Sequence, residues 1–177
     1  MPTPPFPDTR FMQLAWVVPD VHEAAAAWTR QAGVGPFFLF EKVSWDNPLY
    51  RGKPWETIDI TAAIAQAGDV QIELISQNEE RPSMFRDVVP AGKSGLHHMG
   101  LYCSDYDANL AAYRKGGAEV VFSGLMMGNR VCWVDTIATL GFMVEVIQAN
   151  PVADMVFGKI RAAAENWDGK DALRTLS

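Results

Sequence analysis

The run Gln13-Leu-Ala-Trp-Val-Val-Pro-Asp20 matches His98-Met-Gly-Leu-Tyr-Cys-Ser-Asp105 in character, at an offset of 85 positions (13 to 98). A repeat of this length decides the architecture before any single motif does, because each copy must be one supersecondary unit that shares a core with the other. Both runs read as short apolar strands that end in a turn. Both continue into an Ala-rich segment, Val21 to Gln31 and Tyr106 to Gly116. Trp28 and Tyr113 fall there at the same offset, and Gly33 and Gly116/Gly117 mark the helix ends.

The copies also close alike. Val70 to Gln77 and Phe142 to Gln148 are apolar strands with one carboxylate in the middle, Glu73 or Glu145, and a preceding glycine, Gly68 or Gly141, that can turn a hairpin. Ahead of them lie runs rich in β-branched residues, 57–66 and 131–139. Each copy therefore reads β-α-β-β-β. The expected fold class is α+β, with modules at 10–78 and 96–149 joined into one curved, barrel-like mixed sheet. Residues 1–9 form an N-terminal extension, and 79–95 form a linker with one helical turn near Ser83 to Val88. Residues 150–177 form a C-terminal helical extension, in which Val152, Met155, Val156, Ile160 and Ala163 fall at helical spacing after Pro151. The first copy spans 60 positions (13 to 73) and the second 47 (98 to 145), so the first carries an insertion of 13. Residues 41–56, punctuated by Asp46-Asn-Pro and Arg51-Gly-Lys-Pro, read as the loop that holds it.

Charge narrows the partners. With 15 Lys plus Arg against 21 Asp plus Glu, the net charge of −6 offers no long-range attraction to a polyphosphate, so no nucleic acid is expected. Apolar stretches such as Phe37 to Phe40 fall far short of the roughly 18–20 residues of a membrane span, so no membrane partner is expected. The start Met1-Pro-Thr-Pro-Pro-Phe-Pro lacks the pattern of a signal peptide, which leaves a cytoplasmic location as the default. Cys103 and Cys132 are then reduced thiols rather than a disulfide. A homodimer is expected, because the sheet has edges to protect and the C-terminal helix has an apolar face to cover.

The chemistry lies in side chains that do not suit their strands. An unpaired buried carboxylate between Ile72 and Leu74, or between Val144 and Val146, costs several kcal/mol. A metal ion offsets that cost. If matching strands of the two modules face inward together, Gln13, Glu73, His98 and Glu145 supply one imidazole nitrogen and three oxygens, a set suited to one divalent ion among Zn, Ni, Co, Mn and Fe. Any one of these residues alone reads as a surface group on the solvent face of a strand; their recurrence in both copies favours a shared site. His97 should point to the opposite face from His98, and His22 to lie on the surface at a helix start.

Residues 10–149, through Gln13-Leu-Ala-Trp-Val-Val-Pro-Asp, Val70-Gln-Ile-Glu73-Leu-Ile, His98-Met-Gly-Leu and Gly141-Phe-Met-Val-Glu145-Val-Ile, resemble the vicinal oxygen chelate superfamily. Its members include glyoxalase I, methylmalonyl-CoA epimerase, extradiol dioxygenases and bleomycin-resistance proteins. The resemblance implies metal ligands at Gln13, Glu73, His98 and Glu145. The order Gln, Glu, His, Glu is similar to some glyoxalase I enzymes and departs from the epimerases at its first two positions. It further implies catalysis by Glu145 as base, with Glu73 as a second.

Three function classes follow. The first is a metal-dependent isomerase, epimerase or lyase that abstracts a proton α to a carbonyl of a small-molecule substrate, glyoxalase-like or acyl-CoA epimerase-like. The second is an extradiol-type dioxygenase, for which Gln13 stands where a histidine is expected. The third is a non-catalytic drug-sequestering protein, which has no need of two buried carboxylates. Phe38, Trp55, Met127 and Trp133 are candidates for an apolar substrate wall, as are Phe37, Phe40, Met126 and Phe142. Arg51, with Lys53, is a candidate for an anionic group.

Overall fold

The two copies meet edge to edge at a seam between β1 (Arg10–Val17) and β7 (Gly95–Cys103), which pair antiparallel within the one chain. The computed structural model describes residues 10–176; the N-terminal extension 1–9 lies outside them. In the first copy β1 is followed by α1 (Val21–Ala32), β2 (Phe37–Phe40), β3 (Asp46–Tyr50), β4 (Lys53–Pro54), β5 (Ile60–Ala67) and β6 (Val70–Gln77). In the second β7 is followed by α2 (Tyr106–Lys115), β8 (Val120–Met126), β9 (Asn129–Val134), α3 (Ile137–Leu140) and β10 (Met143–Gln148). The chain closes with α4 (Pro151–Ala164) and β11 (Leu173–Thr175). The strands form one mixed, curved sheet that does not close, in the order β11-β2-β5-β6-β1-β7-β10-β9-β8-β3-β4. Around the seam the order is two-fold symmetric: β6 pairs parallel with β1 as β10 does with β7.

Local chemistry repeats with the sheet. Asp20 caps α1, accepting from the amides of His22 at 2.7 Å and Glu23 at 3.1 Å, and Asp105, 85 positions on, caps α2 through the Ala108 amide at 2.9 Å. Gly33 closes α1 at φ +66°, a left-handed conformation that costs glycine nothing. The helices cover the convex face, α1 over Val18, Phe37, Ile72 and Leu74, and α2 over Leu101, Cys132, Val134 and Val144. The concave face keeps a separate core that includes Ala15, Ile60, Ile75, Phe122 and Trp133.

Two expectations need correction. Residues 41–56 are not only a loop: β3 and β4 lie within them, and β3 pairs with β8 of the other copy, so the insertion extends the sheet across the modules. The run 131–139 is a strand only to Val134, after which Thr136 starts the short helix α3 and Gly141 ends it at φ +84°. The C-terminal helix finds its cover in its own chain. Ile160 is fully buried against Phe38 and Ile64, while Val152 and Met155 are exposed. That removes the need for a second copy to cover the helix. The linker is more than a tether: Met84 and Phe85, in a turn closed by the Val89 amide on the Phe85 carbonyl at 2.9 Å, are buried in the concave core. No helix among the described residues is long and apolar enough to cross a membrane.

Candidate metal centre and its cavity

The four central strands carry the four candidate residues in matched places. On β1 Gln13 is followed two residues later by Ala15, and on β7 His98 is followed by Gly100. Ala15 sits between Glu73 and His98 in the register, and Gly100 between Gln13 and Glu145. A small residue at each crossing leaves room for the larger side chains to converge. Gly100 leaves little to spare, since a Cβ there would stand 2.9 Å from both Cβ and Oε1 of Gln13. Gly100→Ala should therefore displace the Gln13 carboxamide and lower stability by about 1–3 kcal/mol, read as a lower denaturation midpoint.

Glu73, His98 and Glu145 come together with one ligand atom from each within 4.8 Å of the others. His98 Nε2 lies 3.2 Å from Glu145 Oε2 and 3.4 Å from Glu73 Oε2, yet it has no hydrogen-bond partner in the chain. Donors about 2.0–2.2 Å from a common ion stand ~3.0–3.4 Å apart when they subtend roughly 90–110°, a spacing these separations match. Gln13, 3% exposed, borders the same space, and its amide nitrogen donates to Gln71 Oε1 at 3.4 Å.

The tautomer of His98 is fixed from behind. His97 Nε2 lies 2.9 Å from the Met84 carbonyl oxygen, which can only accept, so His97 donates there. Burial, with the charge of His98, holds the His97 pKa down to about 3, so its Nδ1 is a free acceptor. That atom is 2.8 Å from His98 Nδ1, which must donate to it and leaves His98 Nε2 as the atom turned to the carboxylates. The expectation that His97 faces away is thus corrected. The β1 to β7 register shifts between Ala15 and Trp16, whose partners are His98 and Leu96, so His97 is the extra residue of a bulge and swings toward its neighbour's side.

Electrostatics alone calls for a cation among these groups. Burial lowers the His98 pKa, but the two carboxylates outweigh it and raise the imidazole to about 9. Burial raises the Glu145 pKa, opposed by His98. A proton or a divalent ion among the carboxylates would offset this crowding of charge, and an ion taking that place would release the proton.

Glu73, Glu145 and Gln13 border a cavity of about 310 Å³. Its walls are otherwise largely apolar, with Phe40, Trp45, Ile60, Phe85, Val131 and Trp133 from the sheet side and Ala153, Val156 and Phe157 from α4. Of the candidate residues, Phe40, Met126, Met127 and Trp133 line it, and Phe37, Phe38, Trp55, Phe142 and Arg51 do not. Phe38 is buried beneath α4. Trp55 packs behind the wall on Trp45 and Phe122, at ring separations of 6.4 and 5.4 Å. Arg51 is bound to Asp87 at 2.9 Å. Trp45, inside the insertion, was missed from the sequence because it looked like loop; with Phe122 and Trp133 it forms an edge-to-face cluster. Neither cysteine offers a nucleophile: both are buried thiols outside any disulfide, and burial pushes the Cys132 thiol up to about 11.

Similar folds are known. A methylmalonyl-CoA epimerase from Mycobacterium tuberculosis superposes with a TM-score of 0.58 at 16% identity, covering 82% of this chain and 91% of that one. A variant of the Streptomyces coelicolor methylmalonyl-CoA epimerase, solved with 2-nitronate-propionyl-CoA, gives 0.56 at 17%, covering 80% and 97%. A hypothetical protein from Bacillus halodurans gives 0.59 at 12%, covering 80% and 95%. No curated protein matches the sequence significantly. The family model for the Glyoxalase/Bleomycin resistance protein/Dioxygenase superfamily matches residues 12–133, which carry the seam strands and three of the four central side chains. With that match over more than half its length and the paired-module sheet, the chain belongs to this superfamily.

Proposed function

We propose that the protein is a metal-dependent isomerase, epimerase or lyase that moves a proton at the carbon α to a carbonyl, with Gln13, Glu73, His98 and Glu145 as the metal ligands. The observation that carries this reading is the buried His98 Nε2, without a hydrogen bond and flanked by two carboxylates at the edge of an apolar cavity. A divalent first-row ion held by these residues supplies Lewis acidity toward a substrate's neighbouring oxygens. The chain does the rest. Glu145, whose proton affinity is raised by burial, accepts the α-proton, and Glu73, more open to the cavity with a side chain 15% exposed, returns or takes one on another face. The apolar walls exclude water and so strengthen each charge interaction within. His98 is held in one tautomer by His97.

The alternatives are weaker on this geometry. A dioxygenase of the extradiol type takes two imidazoles and one carboxylate, whereas His97 spends its Nε2 on the Met84 carbonyl, leaving one imidazole in the cluster. A sequestering protein gains nothing from two carboxylates crowded beside a buried imidazole. Elemental analysis tests the reading directly. Wild type should carry one divalent ion per chain, and His98→Ala should lose it; equal metal in both would overturn the assignment.

A further inference from the structure

The structural relatives are covered over 91–97% of their length but account for only 80–82% of this chain, so about a fifth of it lies outside the shared fold. The segments that flank the repeat, 1–9 and 150–177, make up a similar share. In the second of these, α4 packs on β5 and contributes Ala153, Val156 and Phe157 to the lining of the cavity that Glu73 and Glu145 also border. It is fixed at both ends. Asn150 caps it through the Ala153 amide at 2.9 Å, Tyr102 donates to Asp154 at 2.8 Å, and Phe157 packs edge-on against Tyr102 at 5.6 Å. Farther along, Ile160 is fully buried, and β11 beyond the helix pairs with β2. The helix is a built-in roof, not a lid.

The roofed chamber, at about 310 Å³, is at the small end of the range of roughly 300–1,000 Å³ for ligand cavities. Its charged groups differ in burial. Glu145 is buried and Glu73 half-buried, whereas Lys42, the one cation among the described lining residues, is exposed beside Glu41. The guanidinium of Arg51 is committed to Asp87. A long polyanionic carrier such as coenzyme A thus finds no cluster of cations among the described lining residues.

We infer that the substrate is a compact molecule whose aryl or branched apolar body fills this cavity, rather than a thioester of a large anionic carrier. This rests on the proposed reading of Glu73, His98 and Glu145 as the reacting end; the walls and roof supply the rest.

Calorimetry on the metal-loaded full chain tests it with a matched pair that share one head, 2-oxo-4-phenylbutanoate and 2-oxobutanoate. The phenyl acid should bind about tenfold or more tightly, because its ring leaves water for an apolar wall. Coenzyme A should not displace it. Val156→Trp, which fills the chamber from the roof at a half-buried position, should abolish the preference with unchanged metal content, while Val156→Ala retains it. Equal affinities for the two acids, or displacement by coenzyme A, would overturn the inference. A chelator separates the two readings. If the metal assignment alone fails, the chelator weakens neither acid and the tenfold ratio stands. If the chamber inference alone fails, the chelator weakens both and the ratio is near one.

Discussion

Replacing Glu145 by Gln should slow exchange of a substrate's α-hydrogen with solvent deuterium by about 10²–10⁴-fold while metal content stays near that of wild type. The two effects separate because an amide oxygen keeps the position and lone pairs of a ligand but has no affinity for the proton. The site strengthens the contrast: Glu145 is 4% exposed, and its burial makes the ionised form a stronger base than a solvated carboxylate. Glu73→Gln should slow exchange less if one face of the substrate reacts, and equally if both do. NMR of the exchanging signal in the three metal-loaded proteins is the measurement. Undiminished exchange in Glu145→Gln would remove this residue from the mechanism. Oxygen consumption without exchange would move the protein to the dioxygenase class.

His97→Leu should weaken binding of cobalt or zinc by about 10–100-fold, the range for groups that orient a metal-binding histidine. Leucine fills the space but leaves the His98 Nδ1–H and the Met84 carbonyl without partners, which frees His98 to turn or to change tautomer. His97→Gln supplies one acceptor and one donor on a single amide, and should restore most of the affinity. If the ring served only to pack against Phe85, which lies 5.2 Å away, leucine would be the milder change of the two. The visible spectrum of the cobalt-loaded proteins reads the geometry at the ion directly, and an unchanged spectrum and affinity in His97→Leu would rule out a positioning role.

The repeat made much of this molecule legible. Residues at matched places in the two copies obey the same packing demands, so the caps Asp20 and Asp105, the strands and the pairs Gln13/His98 and Glu73/Glu145 stand out against unrelated sequence. Glu73, His98 and Glu145 then converge because parallel pairing sets the last strand of each module beside its first. What did not show were effects of tertiary register. A bulge has no residue code when neither strand needs a glycine for it, so the turn of His97 toward His98 was hidden. The partner of Asp46–Tyr50 lies more than 70 residues away in β8, and local turn residues carry no sign of it. On α4 the apolar residues run round more than one face. The seat over β5 selects Ala153, Phe157 and Ile160, whereas spacing alone also admits Val152 and Met155. Aromatic content suggested a wall, but consecutive positions on β2 send Phe37 to the convex core and Phe38 beneath the roof.

The seam between β1 and β7 has a consequence for how such a centre can diverge. Half-length chains assembling the same sheet by symmetry would be bound to present identical residues at Gln13 and His98, so any substitution would appear twice, and dilution would take the centre apart. With both halves covalently joined, the centre forms at any concentration, and each copy is free to accumulate changes of its own. With an ion held as proposed, an amide on one side and an imidazole on the other would give it unlike neighbours. That inequality would let a chiral substrate dock in one orientation and would give different work to two carboxylates that stand at matched places in the copies.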